Sequence, residues 1–266
     1  MTAAQMPTAA EAATFQSQGA VALSGVFKDW VEVLRAGIER NIANPSDGVR
    51  IYEGKNGARF FGDYCNWARI PEFEEFIFKS PAAAVAATLM GAKEVRLFHE
   101  HVLVKEPSAD VATPWHQDAP YYCVDGQKTC SLWIPLDDVP RERTLEFVGG
   151  SHKWGKSFRP DRFNKTALNA DDEREAVPDI EGNRSAYDIL GWPLSPGDAV
   201  AFHYTTLHGA PANTSASSRR RAFSLRMVGE GAVFKREPGK ITSPPMTNVA
   251  LANGAALEGP EFPRLL

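Results

Sequence analysis

In VFKDWVEVLRAGIERNIANPS, apolar side chains recur at Val26, Trp30, Val33, Leu34, Ile38 and Ile42, with Gly37 on the same stripe. That spacing predicts a helix with one buried face, and Asn44-Pro45 stops it. A second helical stretch, PEFEEFIFKSPAAAVAATLMG, is broken at Pro81, which suits a new first turn, and closes at Gly91. From residue 93 the period changes from helical to alternating. KEVRLFHEHVLVKEP, TCSLWIPLDDV, TLEFVGG, AYDILGW, GDAVAFHY and RRAFSLRMVGEGAVF read as short strands separated by Pro, Gly and Asp. Helices first and many strands afterwards predict a mainly β fold with N-terminal helices packed on one sheet, a sandwich or jelly roll rather than an alternating α/β sheet. The boundaries follow: a loose N-terminal tail over 1–14, one domain over 15–266, a helical part over about 26–91 and a β core over about 93–235. The polar segment from Gly155 to Pro196 reads as a long excursion between strands, of the kind that forms a lid.

Composition narrows the function classes. A chain of 266 residues is long enough for one large core with a ligand cavity. With 43% hydrophobic and 23% charged residues and a net charge of −4, it offers no electrostatic reason to bind nucleic acid or an anionic membrane. No apolar run reaches membrane-spanning length, and the first residues lack the basic start of a secretory signal. Cys65, Cys123 and Cys130 form no C-x-x-C pair, which points to reduced thiols and a cytoplasmic setting.

The candidate chemistry sits in TPWHQDAPYY. Side chains at i and i+2 of an extended strand share a face, so His116 and Asp118 can grip one ion, although an isolated His-x-Asp is more often a surface turn. The third partner is His208, in HYTTLHGAPANTS, where a strand runs into a Gly/Pro turn; a jelly roll returns the chain to the same place. Two histidines and one carboxylate on one side of an ion leave three positions open, the arrangement that suits non-heme Fe(II) oxygen chemistry. A dozen residues further on, SRRRAFSLR supplies a guanidinium able to take a dicarboxylate in a two-pronged pair.

PWHQDAPYY, SLWIPLDDV, LEFVGGSHKWG, PGD before AFHY, and LHGAPANTS followed by RRRAF together resemble the phytanoyl-CoA dioxygenase family of Fe(II)- and 2-oxoglutarate-dependent oxygenases. The resemblance runs from GAVALSGVF to about Gly229. It implies a double-stranded β-helix (cupin-like jelly roll), Fe(II) held by His116, Asp118 and His208, 2-oxoglutarate as co-substrate, dioxygen and a small organic molecule as substrates, and ascorbate as a useful supplement in vitro. It also implies hydroxylation of an unactivated C–H bond with release of succinate and carbon dioxide; Asp118, absent from the related halogenases, favours hydroxylation. For the 2-oxoglutarate arginine, the residue pattern of RRRA selects Arg220, whereas the gap from the histidine selects Arg219. Strand alternation favours Arg220, which shares its face with Ala222 and Ser224 while its neighbours share theirs with Phe223 and Leu225. Arg143-Thr144 and Gly149 depart from the family pattern at a turn and leave the ligands untouched.

Other residues have ordinary readings beside functional ones. His99, His101 and Glu106 resemble part of a cupin metal motif but lack its flanking glycines, so a polar strand face or a solvated edge is the expectation. Lys105, on the same alternating face, points into the cavity or is a solvated strand end. Trp133 walls the co-substrate pocket or is core. Asn213 braces the loop that carries His208 or caps a turn. His152 is expected to bond its own turn and His203 to face an apolar layer, while Trp154 and Trp192 suit an apolar or mixed substrate pocket and equally an ordinary core. The competing functional class is a metal-binding β-sandwich without oxygenase activity, from which an inward arginine beside the triad separates an enzyme.

Overall fold

The structure, a computed structural model, describes residues 5–163 and 166–266. In chain order the elements are α1 (Ala9–Gln18), β1 (Ala20–Leu23), a 3-10 turn (Lys28–Trp30), α2 (Val31–Ala43), β2 (Arg50–Glu53), β3 (Arg59–Tyr64), α3 (Pro71–Lys79) and α4 (Ala82–Met90). There follow β4 (Val95–Lys105), β5 (Thr113–His116), β6 (Val124–Asp125), β7 (Thr129–Pro135), β8 (Glu146–Val148), β9 (Ile189–Leu190), β10 (Ala199–Phe202), β11 (His208–Ala210), β12 (Arg220–Gly229) and β13 (Val233–Phe234). A seven-stranded sheet in the order β1-β10-β7-β12-β4-β3-β2 faces a four-stranded sheet in the order β5-β11-β8-β9, and β13 pairs with β6. This is the expected jelly roll. No described helix is long and apolar enough to cross a membrane.

Helices α2, α3 and α4 form where the sequence placed their signals, with one late start. Pro81 separates α3 from α4, and Gly91 closes α4 in the left-handed conformation at φ 62°. The helix expected from Val26 begins at Val31, because the 3-10 turn precedes it. On the outer face of the large sheet, Leu34 and Ile38 of α2 and Phe73 and Phe76 of α3 cover Val102, Val104, Leu132, Ile134, Phe223 and Leu225. The Phe73 and Phe223 rings lie 4.8 Å apart and those of Phe76 and Phe223 5.5 Å. Burying these rings and aliphatic chains, each contributing about 1.5–3 kcal/mol, fixes which face of β12 looks away from the helices.

Three boundaries need correction. The loose tail expected over 1–14 is helical from Ala9, and residues 1–4 lie outside the described residues. Thr8 and Glu11 form a reciprocal capping box, Gly19 closes the helix at φ 79°, and Gln16 donates to the Leu89 carbonyl of α4. The helical part expected over 26–91 contains the β2–β3 hairpin, which pairs with β4 and extends the large sheet. The β core therefore starts before residue 93, and β1 closes its other edge against β10. Of the polar excursion over 155–196, residues 164 and 165 are outside the described residues. The rest is tied down: Tyr121 Oη donates to the Asp161 carbonyl at 2.6 Å, Trp115 Nε1 to Glu181 at 2.7 Å, and Phe163 stacks on Tyr52 at 4.3 Å.

Candidate metal centre

β11 lies between β5 and β8, with His208 directly opposite His116 in the antiparallel register. Gly209 permits this pairing: a Cβ there would sit 3.1 Å from the Thr113 carbonyl and 3.4 Å from Trp115. Asp118 reaches the same point by another route than the strand argument supposed. β5 ends at His116, and Asp118 has helical dihedrals (φ −74°, ψ −43°) at the start of a short 3-10 turn. The Tyr204 carbonyl accepts from the backbone N–H groups of Asp118 and Ala119, at 2.8 and 3.0 Å, and fixes that turn.

The three side chains converge, each offering a ligand atom within 4.8 Å of the others. Asp118 Oδ1 is 3.6 Å from His116 Nε2 and 3.9 Å from His208 Nε2. Both imidazoles hold a backbone carbonyl through Nδ1, that of Pro114 at 2.8 Å and that of Thr206 at 3.0 Å. With Nδ1–H donating, both Nε2 lone pairs are free for a metal. Burial and the neighbouring His116 push the His208 imidazole down to about 3, so it stays neutral. Burial alone would raise the Asp118 carboxyl, but the Arg226 guanidinium and the two histidines hold it well below the usual range, so it stays ionised. Two imidazole nitrogens and one carboxylate oxygen on one side of a point are the donor set of a divalent cation with open positions. The residues fit a metal.

The floor beneath this centre is the inner face of the large sheet. Register places Lys105 opposite Arg220, Leu103 opposite Ala222, His101 opposite Ser224 and His99 opposite Arg226, with Pro135, Trp133 and Ser131 continuing the last three rows on β7. Arg220 is buried and its Nη1 donates to the Arg143 carbonyl; among the described residues it has no carboxylate partner. Lys105 is buried too, donating to the Pro211 carbonyl at 3.1 Å over the Phe60 ring, so it is no solvated strand end. Burial and the adjacent Arg220 pull its ammonium well below its ordinary value, and burial pushes Arg220 down to about 10. Arg219 and Arg221 face the other way. Arg219 pairs with Glu106 and Glu39, and Arg221 with Asp137 and Glu39. Trp133 is buried beside Val200, Phe202 and Ala222 on the inner face. Asn213 accepts from Arg143 at 3.0 Å and donates to the Lys105, Glu106 and Ser218 carbonyls. It braces the far end of the loop after His208 and aligns the residue that holds Arg220.

The remaining candidates separate. His99 is buried between Phe98 and Tyr122, and Glu106 is committed to Arg219, so neither joins the triad. His101 stays partly exposed on the inner face opposite Ser224, edge-on to Tyr64 at 5.5 Å, and does not join the triad. His152 bonds the Gln16 carbonyl of α1 rather than its own turn, because α1 docks there. His203 faces polar partners instead of an apolar layer, Thr205 Oγ1 at 2.8 Å and the Gln127 carbonyl at 2.9 Å. Trp192 packs near Phe147, whereas Trp154 is exposed. Sequence reasoning missed Gln117, which bonds the Lys156 and Thr205 carbonyls and the Phe158 N–H and so pins excursion and turn together. It also missed Arg226 and Ser131, although both alternate onto the inward face from Arg220 and Trp133.

A family model of phytanoyl-CoA dioxygenase matches residues 15–222. The chain belongs to the phytanoyl-CoA dioxygenase family. Curated relatives include a phytanoyl-CoA dioxygenase domain-containing protein 1 homolog of Caenorhabditis elegans, 29% identical over 59% of this chain and 54% of its own length. The corresponding protein of Danio rerio is 29% identical over 51% and 46%. The chain spans about half the length of the curated relatives it matches. Among solved structures, the non-heme alpha-ketoglutarate-dependent carbocyclase SnoK from nogalamycin biosynthesis superposes with a TM-score of 0.75 at 24% identity, covering 100% of this chain and 99% of that one. The epimerase SnoN, in complex with Fe3+, alpha-ketoglutarate and nogalamycin RO, gives 0.74 at 24%, covering 97% and 98%. EctD from S. alaskensis, with 2-oxoglutarate and 5-hydroxyectoine, gives 0.66 at 21%, covering 86% and 78%. They share the fold.

Proposed function

We propose that the domain over residues 15–266 is an Fe(II)- and 2-oxoglutarate-dependent dioxygenase that hydroxylates an unactivated C–H bond of a small organic substrate. The observation that carries this reading is the pairing of an open metal site with two adjacent buried basic side chains, Lys105 and Arg220, that lack a carboxylate partner among the described residues. Buried charges without a counter-charge are costly, and a dicarboxylate chelating the metal at one end would supply it here at the other. That pair answers to a dicarboxylate ligand rather than to the metal alone, which favours a co-substrate over a simple metal-binding role.

In this reading His116, Asp118 and His208 hold Fe(II), and Arg220 with Lys105 holds the distal carboxylate of 2-oxoglutarate. Asn213 keeps Arg143 and Arg220 aligned, and Trp133 with Phe202 walls the pocket and excludes water. Bound Fe(II) with 2-oxoglutarate and dioxygen supplies the oxidative decarboxylation that yields succinate, carbon dioxide and the oxidation of one C–H bond. The protein positions groups and moves no proton in that step. The partners are dioxygen and a small molecule, in a cytoplasm that keeps the three cysteines free.

The test is succinate release on adding Fe(II), ascorbate and 2-oxoglutarate, stimulated by a substrate found in a metabolite screen. Absence of Fe(II)-dependent succinate under every condition would sink the enzyme reading. Because SnoK and SnoN are described as a carbocyclase and an epimerase, the outcome is read with labelled dioxygen. Hydroxylation places one oxygen atom in the product, and cyclisation or epimerisation places none.

A further inference from the structure

We propose that Arg226 is a positioning residue that holds Asp118 to ligation through a single oxygen, and so keeps a metal position open for 2-oxoglutarate. The inference rests on the Fe(II)/2-oxoglutarate reading above. Arg226 lies on the inward face of β12, opposite His99 and Ser131, and is 6% exposed. Its Nε donates to Tyr122 Oη at 2.8 Å and lies 3.7 Å from Asp118 Oδ2; its Nη1 is 3.4 Å from the Ser224 carbonyl. Ser131 Oγ donates to the same Oδ2 at 3.3 Å.

The two oxygens of Asp118 are therefore unlike. Oδ1 faces both histidine Nε2 atoms, and Oδ2 faces a guanidinium and a hydroxyl on the opposite side. A carboxylate held this way by its outer oxygen presents one donor to the ion. Two histidines and one carboxylate oxygen leave three positions, enough for a chelating co-substrate and one further ligand. If Oδ2 were free to swing onto the metal, one of those positions would close. Arg226 makes no hydrogen bond to His116, His208, Lys105 or Arg220, so Asp118 is the metal ligand its side chain meets at close range, and the spectrum separates that contact from a general change of charge in the site.

Co(II) replaces Fe(II) in the test, because it resists oxidation and its visible absorption reports coordination number. Co(II) affinity, its spectrum, 2-oxoglutarate affinity and melting temperature are measured for the parent, Arg226→Gln, Arg226→Lys and Ser131→Ala. Arg226→Gln should weaken 2-oxoglutarate binding about tenfold or more, in the range of outer-partner losses at metal sites, with Co(II) affinity held or tightened and an altered spectrum. Arg226→Lys should recover most of the loss, and Ser131→Ala should shift the spectrum in the same direction by less. Parallel losses of Co(II) affinity, 2-oxoglutarate affinity and melting temperature would make the residue merely structural and overturn the proposal, as would an unchanged spectrum and co-substrate affinity. If Arg226→Gln does not fold, Ser131→Ala and Tyr122→Phe decide by the same two measurements. A parent protein that binds Co(II) but not 2-oxoglutarate refutes the functional reading instead.

Discussion

On one face of β12, Arg221, Phe223, Leu225 and Met227 look toward the helices; on the other, Arg220, Ala222, Ser224 and Arg226 look into the space under the two histidines. Both faces are buried and both carry arginine. On the helix side the arginine has two carboxylates to pair with and the rings are covered by α3. On the cavity side, among the described residues, Arg220 and Lys105 donate only to backbone carbonyls, Ser224 Oγ has no hydrogen-bond partner, and Arg226 has the one carboxylate that also faces the histidines. The same strand thus builds stability on one side and leaves polar groups ready for ligands on the other.

The largest expected effect is at the triad. His116→Ala and His208→Ala should abolish stoichiometric Fe(II) binding and turnover while keeping a cooperative melt within a few degrees of the parent. Asp118→Ala should lose the metal as well and, by stranding Arg226 as a buried unpaired charge, cost about 3–5 kcal/mol of stability. Metal titration with denaturant unfolding separates these cases, and full turnover in any of the three would break the comparison. On the helix side, Phe223→Ala should cost about 3–5 kcal/mol by opening a cavity against Phe73 and Phe76, with 2-oxoglutarate affinity unchanged. A matching loss of affinity would mean the two faces are not independent.

For the cavity side, Arg220→Ala should weaken 2-oxoglutarate binding by about 2–5 kcal/mol, followed anaerobically by the absorption of the Fe(II) chelate. Glu100 sharpens the contrast in another way. It alternates onto the helix side, where it accepts from the Asn66 N–H through Oε1 and, among the described residues, has no hydrogen-bond partner at Oε2. Burial pushes its carboxyl up to about 7 from an ordinary 4.5. The folded state therefore binds a proton that the unfolded chain has released, and stability should fall as pH rises from about 4.5 through 7 and then level off. The loss amounts to about 3 kcal/mol. Glu100→Gln should flatten that limb in denaturant melts run from pH 4 to 8; an identical slope in parent and variant would refute the assignment. The smallest effect belongs to Arg219→Ala, whose exposed ion pairs are worth less than about 1 kcal/mol. It should leave the 2-oxoglutarate titration within a few-fold of the parent, and a large loss there would move the co-substrate contact to the wrong face.

Local pattern alone determined a good deal. Pro81 and Gly91 punctuated α3 and α4 because their backbone constraints act within a turn. Alternation along SRRRAFSLR separated Arg220 from Arg219 and Arg221, since a strand has only two faces and Phe223 and Leu225 claim one. The histidines and Asp118 were legible because few side chains suit a divalent ion. The tertiary structure decided what depends on chain brought in from a distance. α1 is helical through a capping box and a bond to Leu89, and weak apolar periodicity concealed it. The β2–β3 hairpin is a strand pair because β4 offers it an edge. Lys105 is inside because that hairpin covers it with Phe60, where an isolated strand end would have left it in water. Asp118 meets His116 through a turn pinned by Tyr204, and its outer oxygen meets Arg226 from the far end of β12. Sequence spacing sets which way a side chain points. Which atom it meets is set by the three-dimensional return of the chain, and the partners of buried charges are all of that second kind.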